Sequence, residues 1–476
     1  MRNCRNMRGF VQNGTMALLL LFFLVTCTNF DACGARRARH LGSSHHHHHG
    51  VGGPKPSPSP PPSPLLPSPP PPSMSNLTST LDRPALSGTV FNVVDFGASG
   101  DGVTDDTKAF ENTWKAACKE GGGSTVLVPQ NLQFLVGPIS FAGANCAPNM
   151  VFQLDGTILA PTNHNIWGAD LSTWLQFKNL KGLTIQGQGT IEGQGSTWWN
   201  SASEAYDNPG ENSEMVELMP SNRPTALRIS GSNNVAVAGI TIQNSPQFHL
   251  KFDSCQVVEV HGVTISSPGN SPNTDGIHLQ NSQGVSIHNT NLACGDDCIS
   301  IQTGSSNVFI QNVNCGPGHG ISIGGLGKGN TQATVSDVTV QDVTISGTTN
   351  GVRIKTWQGG SGSVKNIRYS NVRVSEVQKP IVIDQFYCDH TMCTNQTSAV
   401  ALSDITYQNI RGTYTLQPVY LACSDAIPCS NIYLDDIELQ PSIDNSHVYA
   451  PFCWKAYGDL RAPTEPPISC LQSGKP

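Results

Sequence analysis

The chain has 476 residues, of which 13% are charged and 7% aromatic, and its formal net charge is −7. Six of its 27 Lys and Arg residues precede His40, so the remaining chain is more acidic still, which argues against a broad nucleic-acid-binding surface. Abundant Val, Ile and Thr from about Val90 onward exclude general disorder and favour an ordered β protein.

Residues 1–34 have the pattern of a secretory signal peptide. Arg2, Arg5 and Arg8 precede an apolar run from Ala17 to Val25, which is short for a membrane span. A signal anchor is the alternative. The chain is therefore predicted to be secreted to an extracellular compartment, with no membrane segment after signal removal.

Residues 35–89 predict a disordered linker. His45 to His49 form a His tract, which can bind metal weakly and also resembles an expression tag. Pro54 to Ser73 is almost pure Pro and Ser, a composition that favours extended polyproline II and cannot form a core. The segment is interpreted as a stiff spacer.

Residues 90–476 predict one domain, with a helix at Lys108 to Lys119 capped by Asp105 or Asp106. After it, eight segments alternate apolar and polar residues and then turn at Asn or Gly. Their apolar anchors are spaced by 23, 27, 23, 30, 29, 38 and 27 residues and are Val235, Val258, Val285, Val308, Val338, Ile367, Ile405 and Ile432.

Intervals of this size are typical of a solenoid. Alternation at period two places the anchors on one face, which only stacked coils can bury. A leucine-rich repeat would require its Leu and Asn framework, and a propeller would require four strands per repeat. The sequence therefore predicts an all-β fold, a right-handed parallel β-helix.

Twelve cysteines follow the predicted signal peptide, and an even number in a secreted chain predicts disulfides. A zinc site is disfavoured because the sequence has no C-x-x-C pair. Cys255 and Cys294 either pair together or remain buried thiols. The expected bridges join Cys118 with Cys146, Cys298 with Cys315, Cys388 with Cys393, Cys423 with Cys429, and Cys453 with Cys470.

Two tripeptides match the acceptor pattern for N-glycosylation in a secreted protein. They begin at Asn76 and Asn395.

Polar motifs interrupt the repeat at intervals near one coil. Asp296 follows Asp275 by 21 residues, His319 follows Asp297 by 22, and Arg353 follows His319 by 34. Singly, these motifs are typical of turns, solvated loops or an exposed strand face. Because residues one coil apart lie about 4.8 Å apart, we expect the carboxylates, the imidazole and the cations to form one stripe.

Such a stripe indicates hydrolysis of an acidic glycan. One carboxyl must protonate the leaving oxygen while another activates water or attacks carbon. Crowding makes one carboxyl hold its proton to higher pH, which supplies an acid and a base from one residue type. Neighbouring Arg and Lys can bind a substrate carboxylate, so an acidic protein can bind an acidic polymer through a local basic patch.

Four motifs, in order, resemble the signatures of polygalacturonases, family 28 of the glycoside hydrolases: Asn273-Thr-Asp275, Gly295-Asp-Asp-Cys298, Gly318-His-Gly320 and Arg353-Ile-Lys355. The opening from Asn92 to Asp106 resembles that of plant members. The resemblance covers about residues 90–476. It implies an inverting hydrolase of α-1,4-galacturonosidic bonds in pectin, on a pectin-lyase-like β-helix without metal or organic cofactor.

The resemblance also implies catalytic roles. Asp296 would be the general acid, Asp275 and Asp297 would position and deprotonate water, and His319 would support the protonation state of the acid. Inversion predicts that the carboxyl of Asp296 lies about 6.5–9.5 Å from the other two, or less where a shared water is held tightly.

Galacturonate binding is implied for Asn273, Arg353 and Lys355. Tyr387 occupies a position where the family often has a substrate-binding Tyr, in a looser match. The expected partner is homogalacturonan, with no nucleic acid, and we expect a monomer.

Three alternatives remain open from the sequence. A pectate lyase on this fold would use Ca²⁺ and a basic residue. A rhamnogalacturonan hydrolase is nearer, although Arg353 and Lys355 suit an acidic sugar at the cut. A wall-bound, non-catalytic pectin-binding protein has no reason to contain the three carboxylates together. Endo- and exo-cleavage are equally compatible with the repeat.

Overall fold

The computed structural model describes residues 88–120, 122–167, 172–199, 223–389, 393–442 and 447–476. The predicted signal peptide, His tract, Pro/Ser-rich spacer and the Asn76 acceptor lie outside these residues.

Two long parallel sheets form the wall of a right-handed parallel β-helix, as the sequence predicts. In the smaller, eleven-stranded sheet, strands pair in the order in which they occur in the chain. Its strands are Ile139–Ala142, Thr173–Lys178, Thr225–Ser230, Leu250–Asp253, Ile277–Gln280, Ile299–Ile301, Ile321–Leu326, Asn350–Thr356, Lys379–Asp384, Val419–Ala422 and Phe452–Trp454.

The larger sheet forms the rest of the wall. Its strands are Val90–Asn92, Asp101–Asp105, Thr125–Val128, Gln133–Leu135, Met150–Leu154, Thr157–Leu159, Lys181–Gln186, Thr190–Glu192, Asn233–Ala238, Thr241–Gln243, Gln256–His261, Thr264–Ser266, Gln283–Ala293, Ser306–Cys315, Gln332–Ser346, Ser361–Val377, Ala401–Tyr414, Cys429–Pro441, Ala456–Leu460 and Thr464–Glu465.

The anchors of the sequence repeat are direct partners in this larger sheet. Val235 pairs with Val258, and the register continues without a break through the six later anchors to Ile432. Each anchor is at most 2% exposed. The core is thus a column of stacked β-branched side chains, because each coil alone leaves its apolar face uncovered.

Asparagine occupies bends within the coils. Asn289, Asn312, Asn371 and Asn409 all adopt left-handed backbone within long strands, with φ of 55°, 51°, 54° and 50°. Asn tolerates this conformation better than most residues. Its amide also bonds to the coil before it, from Asn312 to Asn289 at 2.5 Å and from Asn409 to Asn371 at 2.8 Å.

The predicted helix spans Thr107–Lys119 and packs on the first strands of the coil. Phe110 and Trp114 face the core, at 1% and 4% exposure. Asp105 accepts from the backbone N–H of Thr107, whereas Asp106 accepts from two N–H groups of the preceding turn. Short 3₁₀ helices lie at Val93–Phe96, His164–Trp167 and Lys328–Asn330.

The five cysteine pairs expected from the sequence are all disulfides. Cys255 and Cys294 stay as buried thiols, the second of the two alternatives. Asn395 is exposed, as a glycosylation acceptor must be. Among the described residues, no helix has both the length and the apolarity that a membrane span needs.

Candidate active site

The predicted stripe lies at one edge and on the outer face of the eleven-stranded sheet. Asp275, Asp297 and His319 each come two residues before a strand, and those strands pair in register at Ile277, Ile299 and Ile321. Because each of the three residues lies at the same distance in sequence from a paired isoleucine, their side chains stack on successive coils.

The two cations come from the next strand, Asn350–Thr356. Arg353 is the register partner of Ser322, and Lys355 lies two residues further on the same outward face. Ile354 between them is fully buried in the core. Alternation along one strand therefore delivers both cations to the place where the carboxylates stack.

Asp297 is the hub of the site. Its Oδ1 accepts from Arg353 Nη2 at 2.6 Å and from the Ser322 hydroxyl at 2.7 Å, and its Oδ2 accepts from Lys355 Nζ at 2.8 Å. Burial alone would raise the pKa of Asp297, but the charges of Arg353 and Lys355 and these hydrogen bonds outweigh it and hold the pKa at about 2. Asp297 is a permanent anion at neutral pH.

Asp275 has the opposite environment. Its side chain is 7% exposed, and Oδ2 lies 2.8 Å from Nδ1 of His278. Burial, together with the negative charges of Asp296 and Asp297, raises its pKa well above the usual value, against a smaller opposing effect of Lys355. Two neighbouring carboxyls thus differ in proton affinity because Arg353 and Lys355 bond directly to Asp297, whereas Lys355 acts on Asp275 only through its charge.

Asp296 is the most accessible of the three carboxyls, with 18% of its side chain exposed. Its Oδ1 lies 2.9 Å from Nδ1 of His319, and its Oδ2 accepts from the Asn273 amide at 3.3 Å. His319 is itself 37% exposed. A group bound over the sheet can therefore reach Asp296 from solvent.

Glycine on both sides of His319 lets the turn pass close to its neighbours. Gly320 has a φ of 85°, and a Cβ there would lie 2.1 Å from the carbonyl oxygen of Asn350. A Cβ on Gly318 would lie 2.8 Å from the carbonyl oxygen of Asp296. A larger residue at either position would push His319 away from Asp296.

The profile of a family described as Glycosyl hydrolases family 28 matches residues 118–450. A probable polygalacturonase of Arabidopsis thaliana is 43% identical over 386 residues, which are 80% of this chain and 84% of that relative.

The chain belongs to glycosyl hydrolase family 28. It is a glycoside hydrolase of the polygalacturonase group. A polygalacturonase structure from Erwinia carotovora aligns with a TM-score of 0.59 at 26% identity, over 73% of this chain and 94% of that one. An endo-xylogalacturonan hydrolase from Aspergillus tubingensis shares the fold, with a TM-score of 0.65 at 20% identity over 82% and 99%. A second profile, described as Rhamnogalacturonase A/epimerase, pectate lyase-like, matches only residues 90–132.

In this family 28 chain, Tyr387 lies beside the basic end of the stripe. Lys355 Nζ is 5.2 Å from the centre of its ring, and Trp357 packs edge-on against it at 5.4 Å. Tyr387, which was assigned to substrate binding on a looser sequence match, thus lies next to Lys355, which was predicted to bind galacturonate.

Two residues outside the four sequence motifs, Ser322 and His278, also belong to the site. Ser322 connects Asp297 to Arg353, whose Nε donates to its hydroxyl at 3.0 Å. His278 contacts Asp275 and stacks on Phe248 with ring centres 4.1 Å apart. Burial lowers the pKa of His278 to about 3, so its imidazole is neutral. In the sequence, the only indication that Ser322 and His278 belong to the site is their expected outward position on strands that pair with each other's neighbours in the stripe.

The spacing of two carboxyls is shorter than the main range expected for inversion. An oxygen of Asp296, an oxygen of Asp297 and a ring nitrogen of His319 lie within 4.8 Å of one another. Such a group can hold a metal ion. Here both oxygens of Asp297 already accept from Arg353, Lys355 and Ser322, and the two adjacent cations oppose a third.

Proposed function

We propose that this chain hydrolyses α-1,4-galacturonosidic bonds of polygalacturonate with inversion at the anomeric carbon, and that it acts outside the cell on wall pectin. The observation that carries the proposal is the single stripe of three carboxyls, an imidazole and two cations, in which Asp297 pairs with both cations and Asp296 contacts the imidazole of His319. Glycoside hydrolysis needs the carboxyls, and an acidic sugar needs the cations.

Substrate recognition rests on the cations. A guanidinium has five N–H donors and an ammonium has three. Arg353 and Lys355 each pair with Asp297, and their remaining donors suit a galacturonate carboxylate. Asp297 cancels only one of the two positive charges, and the attraction for an anionic sugar is local to Arg353 and Lys355, because Asp275 and Asp296 add two further carboxyls to the site. This answers how a chain of net charge −7 binds a polyanion.

Acid catalysis is assigned to Asp296. The acid must reach the glycosidic oxygen, and the side chain of Asp296 is more exposed than that of Asp275, at 18% against 7%. His319 and Asn273 orient its carboxyl. The reverse assignment, with Asp275 as the acid, follows from its raised pKa but leaves a buried carboxyl to meet the leaving group.

Water activation is assigned to Asp275 with Asp297. The two side chains lie on adjacent coils, and Asp275 O accepts from the backbone N–H of His249 while Asp297 O accepts from that of Gly276. Asp297 supplies a fixed negative charge, and Asp275, once ionised, takes the proton. A carboxylate of raised pKa is a stronger base, provided that the pH lies above that pKa.

The bonding of Asp297 supports a single displacement. A carboxylate held by Arg353, Lys355 and Ser322 is a poor nucleophile, because attack on carbon would break these bonds. Water is therefore the attacking group. The short contact between Asp296 and Asp297 makes retention the competing outcome, since retaining enzymes place their carboxyls about 5–5.5 Å apart.

The decisive experiment follows the first product of polygalacturonate cleavage by proton NMR, together with product sizing over time. A β-anomeric reducing end supports the mechanism, and an α-anomer refutes inversion. Unsaturated products indicate a lyase, and absence of cleavage with retained binding indicates a pectin-binding protein. Random early products show endo-cleavage, and monomer alone shows exo-cleavage.

A further inference from the structure

The outer face that carries the stripe continues past Arg353 for three more strands. Arg353 is in register with Val382, Val382 with Tyr420, and Tyr420 with Phe452. Side chains in register rise by about 4.8 Å per coil, so Tyr420 and Phe452 lie about 10 and 14 Å from Arg353 along the axis of the coils.

Aromatic side chains cover this end of the face. The rings of Tyr420 and Phe452 stack with centres 5.3 Å apart and planes inclined by 22°. Phe452 is 39% exposed and Trp454, the next outward residue on its strand, is 47% exposed. Tyr420, Phe452 and Trp454 are here called the aromatic platform. Large exposed aromatic groups that adjoin one another commonly mark a binding surface.

The aromatic platform is held in place from several sides. The indole of Trp454 donates to Asp425 Oδ1 at 2.9 Å, and the Cys453–Cys470 disulfide anchors the strand between Phe452 and Trp454. Lys379 extends over the ring of Tyr420, with Nζ 4.6 Å from its centre. The surface therefore offers ordered rings and one cation without a large loss of side-chain freedom on binding.

We propose that the aromatic platform and Lys379 bind the portion of a galacturonan chain that extends beyond the reaction site. This inference rests on the proposed function, because a polymer cut at the stripe must continue along the same face. The C–H face of a pyranose packs on an aromatic ring, and Lys379 pairs with a carboxylate of the same chain. One coil and one sugar unit are comparable in length, so successive units meet successive strands.

The charge of the surface favours an acidic glycan over an apolar partner. Arg353 and Lys379 lie on adjacent strands of one sheet, which places two positive charges at the end of the path nearest the stripe, whereas Asp425 lies beside Trp454 at the far end. A second copy of this chain is the alternative ligand for the aromatic platform. Sedimentation measurements distinguish self-association from glycan binding.

The test compares Phe452→Ala with Phe309→Ala, since Phe309 is 38% exposed but lies on the larger sheet, away from the stripe. Each is combined with Asp296→Asn so that substrate binds without turnover. Affinities for a galacturonate trimer and a decamer are measured by titration calorimetry. Phe452→Ala weakens decamer binding about three- to tenfold relative to trimer binding, Phe309→Ala does not, and Phe452→Tyr restores it.

Lys379→Met provides the independent arm. It weakens binding of the decamer but not of the same decamer fully methyl-esterified, because only the free carboxylate pairs with the cation. Unchanged decamer affinity in both Phe452→Ala and Lys379→Met overturns the proposal, as does a change confined to the sedimentation coefficient, which would indicate self-association. Hydrolysis by the unmodified chain is measured beforehand, so that failure of the platform and failure of the proposed function are told apart.

Discussion

Lys355 donates from Nζ to Oδ2 of Asp297 across 2.8 Å, with side chains only 9% and 2% exposed. A buried ion pair of this kind contributes little net stability, but removing one partner leaves an uncompensated charge. This ion pair therefore positions the side chains of the site, and the stability of the fold depends on both partners being present.

Asp297→Asn should destabilise the domain by about 3–5 kcal/mol, because Arg353 and Lys355 would both be left buried without an anion. Urea unfolding followed by tryptophan fluorescence measures the change. Asp436→Asn is the matched control, since its ion pair with Arg411 is 40% and 47% exposed and is worth roughly 0–1 kcal/mol. Equal losses in the two variants would contradict the role of burial.

Asp275→Asn should raise stability at neutral pH while lowering activity. The folded-state pKa of Asp275 lies above its unfolded value of 3.8, so its contribution to stability is present below that value and is lost as pH rises through the folded pKa. The amide carries no such penalty. Unfolding midpoints measured at acidic and neutral pH should therefore differ between variant and parent only at neutral pH.

Asp296→Asn should lower kcat by about two to four orders of magnitude, the usual contribution of general acid–base catalysis. The amide keeps the size of the carboxyl and can still contact His319, so folding is preserved. Asp337→Asn, an exposed carboxyl on the larger sheet, is the control. Near-normal kcat in Asp296→Asn would transfer the acid role to Asp275.

Lys355→Met should move the acidic limb of the kcat/KM profile to higher pH. Lys355 lowers the pKa of both Asp275 and Asp297, so its removal raises both, and a higher pH is needed to ionise the base. KM for galacturonate oligomers should also rise about ten- to a hundredfold, for the loss of one charge-assisted bond. Lys365→Met, on the exposed side of the larger sheet, should change neither quantity. An unmoved limb would remove Lys355 from control of the base.

Release of reducing ends from polygalacturonate should persist in excess EDTA. The reason is that the anion at the centre of the site, Asp297, already accepts from Arg353, Lys355 and Ser322, and the two positive charges beside it oppose binding of Ca²⁺. Activity lost in chelator and restored by added Ca²⁺ would assign the chain to the lyase class.

Much of this molecule follows from the sequence because a β-helix converts sequence interval into spatial neighbourhood. The anchors Val235 to Ile432 recur at intervals near one coil, and every one pairs with its neighbour in the series. The same arithmetic places Asp275, Asp297 and His319 at one offset from three paired strands. The disulfides could be predicted from the sequence because they join cysteines that are close to each other in the chain.

Only the tertiary structure decided the proton affinities and the contacts that set them. Asp297 meets Ser322, Arg353 and Lys355, which lie 25, 56 and 58 residues away, whereas Asp275, with a side chain 7% exposed, meets His278. Sequence patterning specifies which face a side chain occupies. The pKa of a carboxyl depends on its desolvation and on individual donor distances, and these arise only when all the coils are stacked.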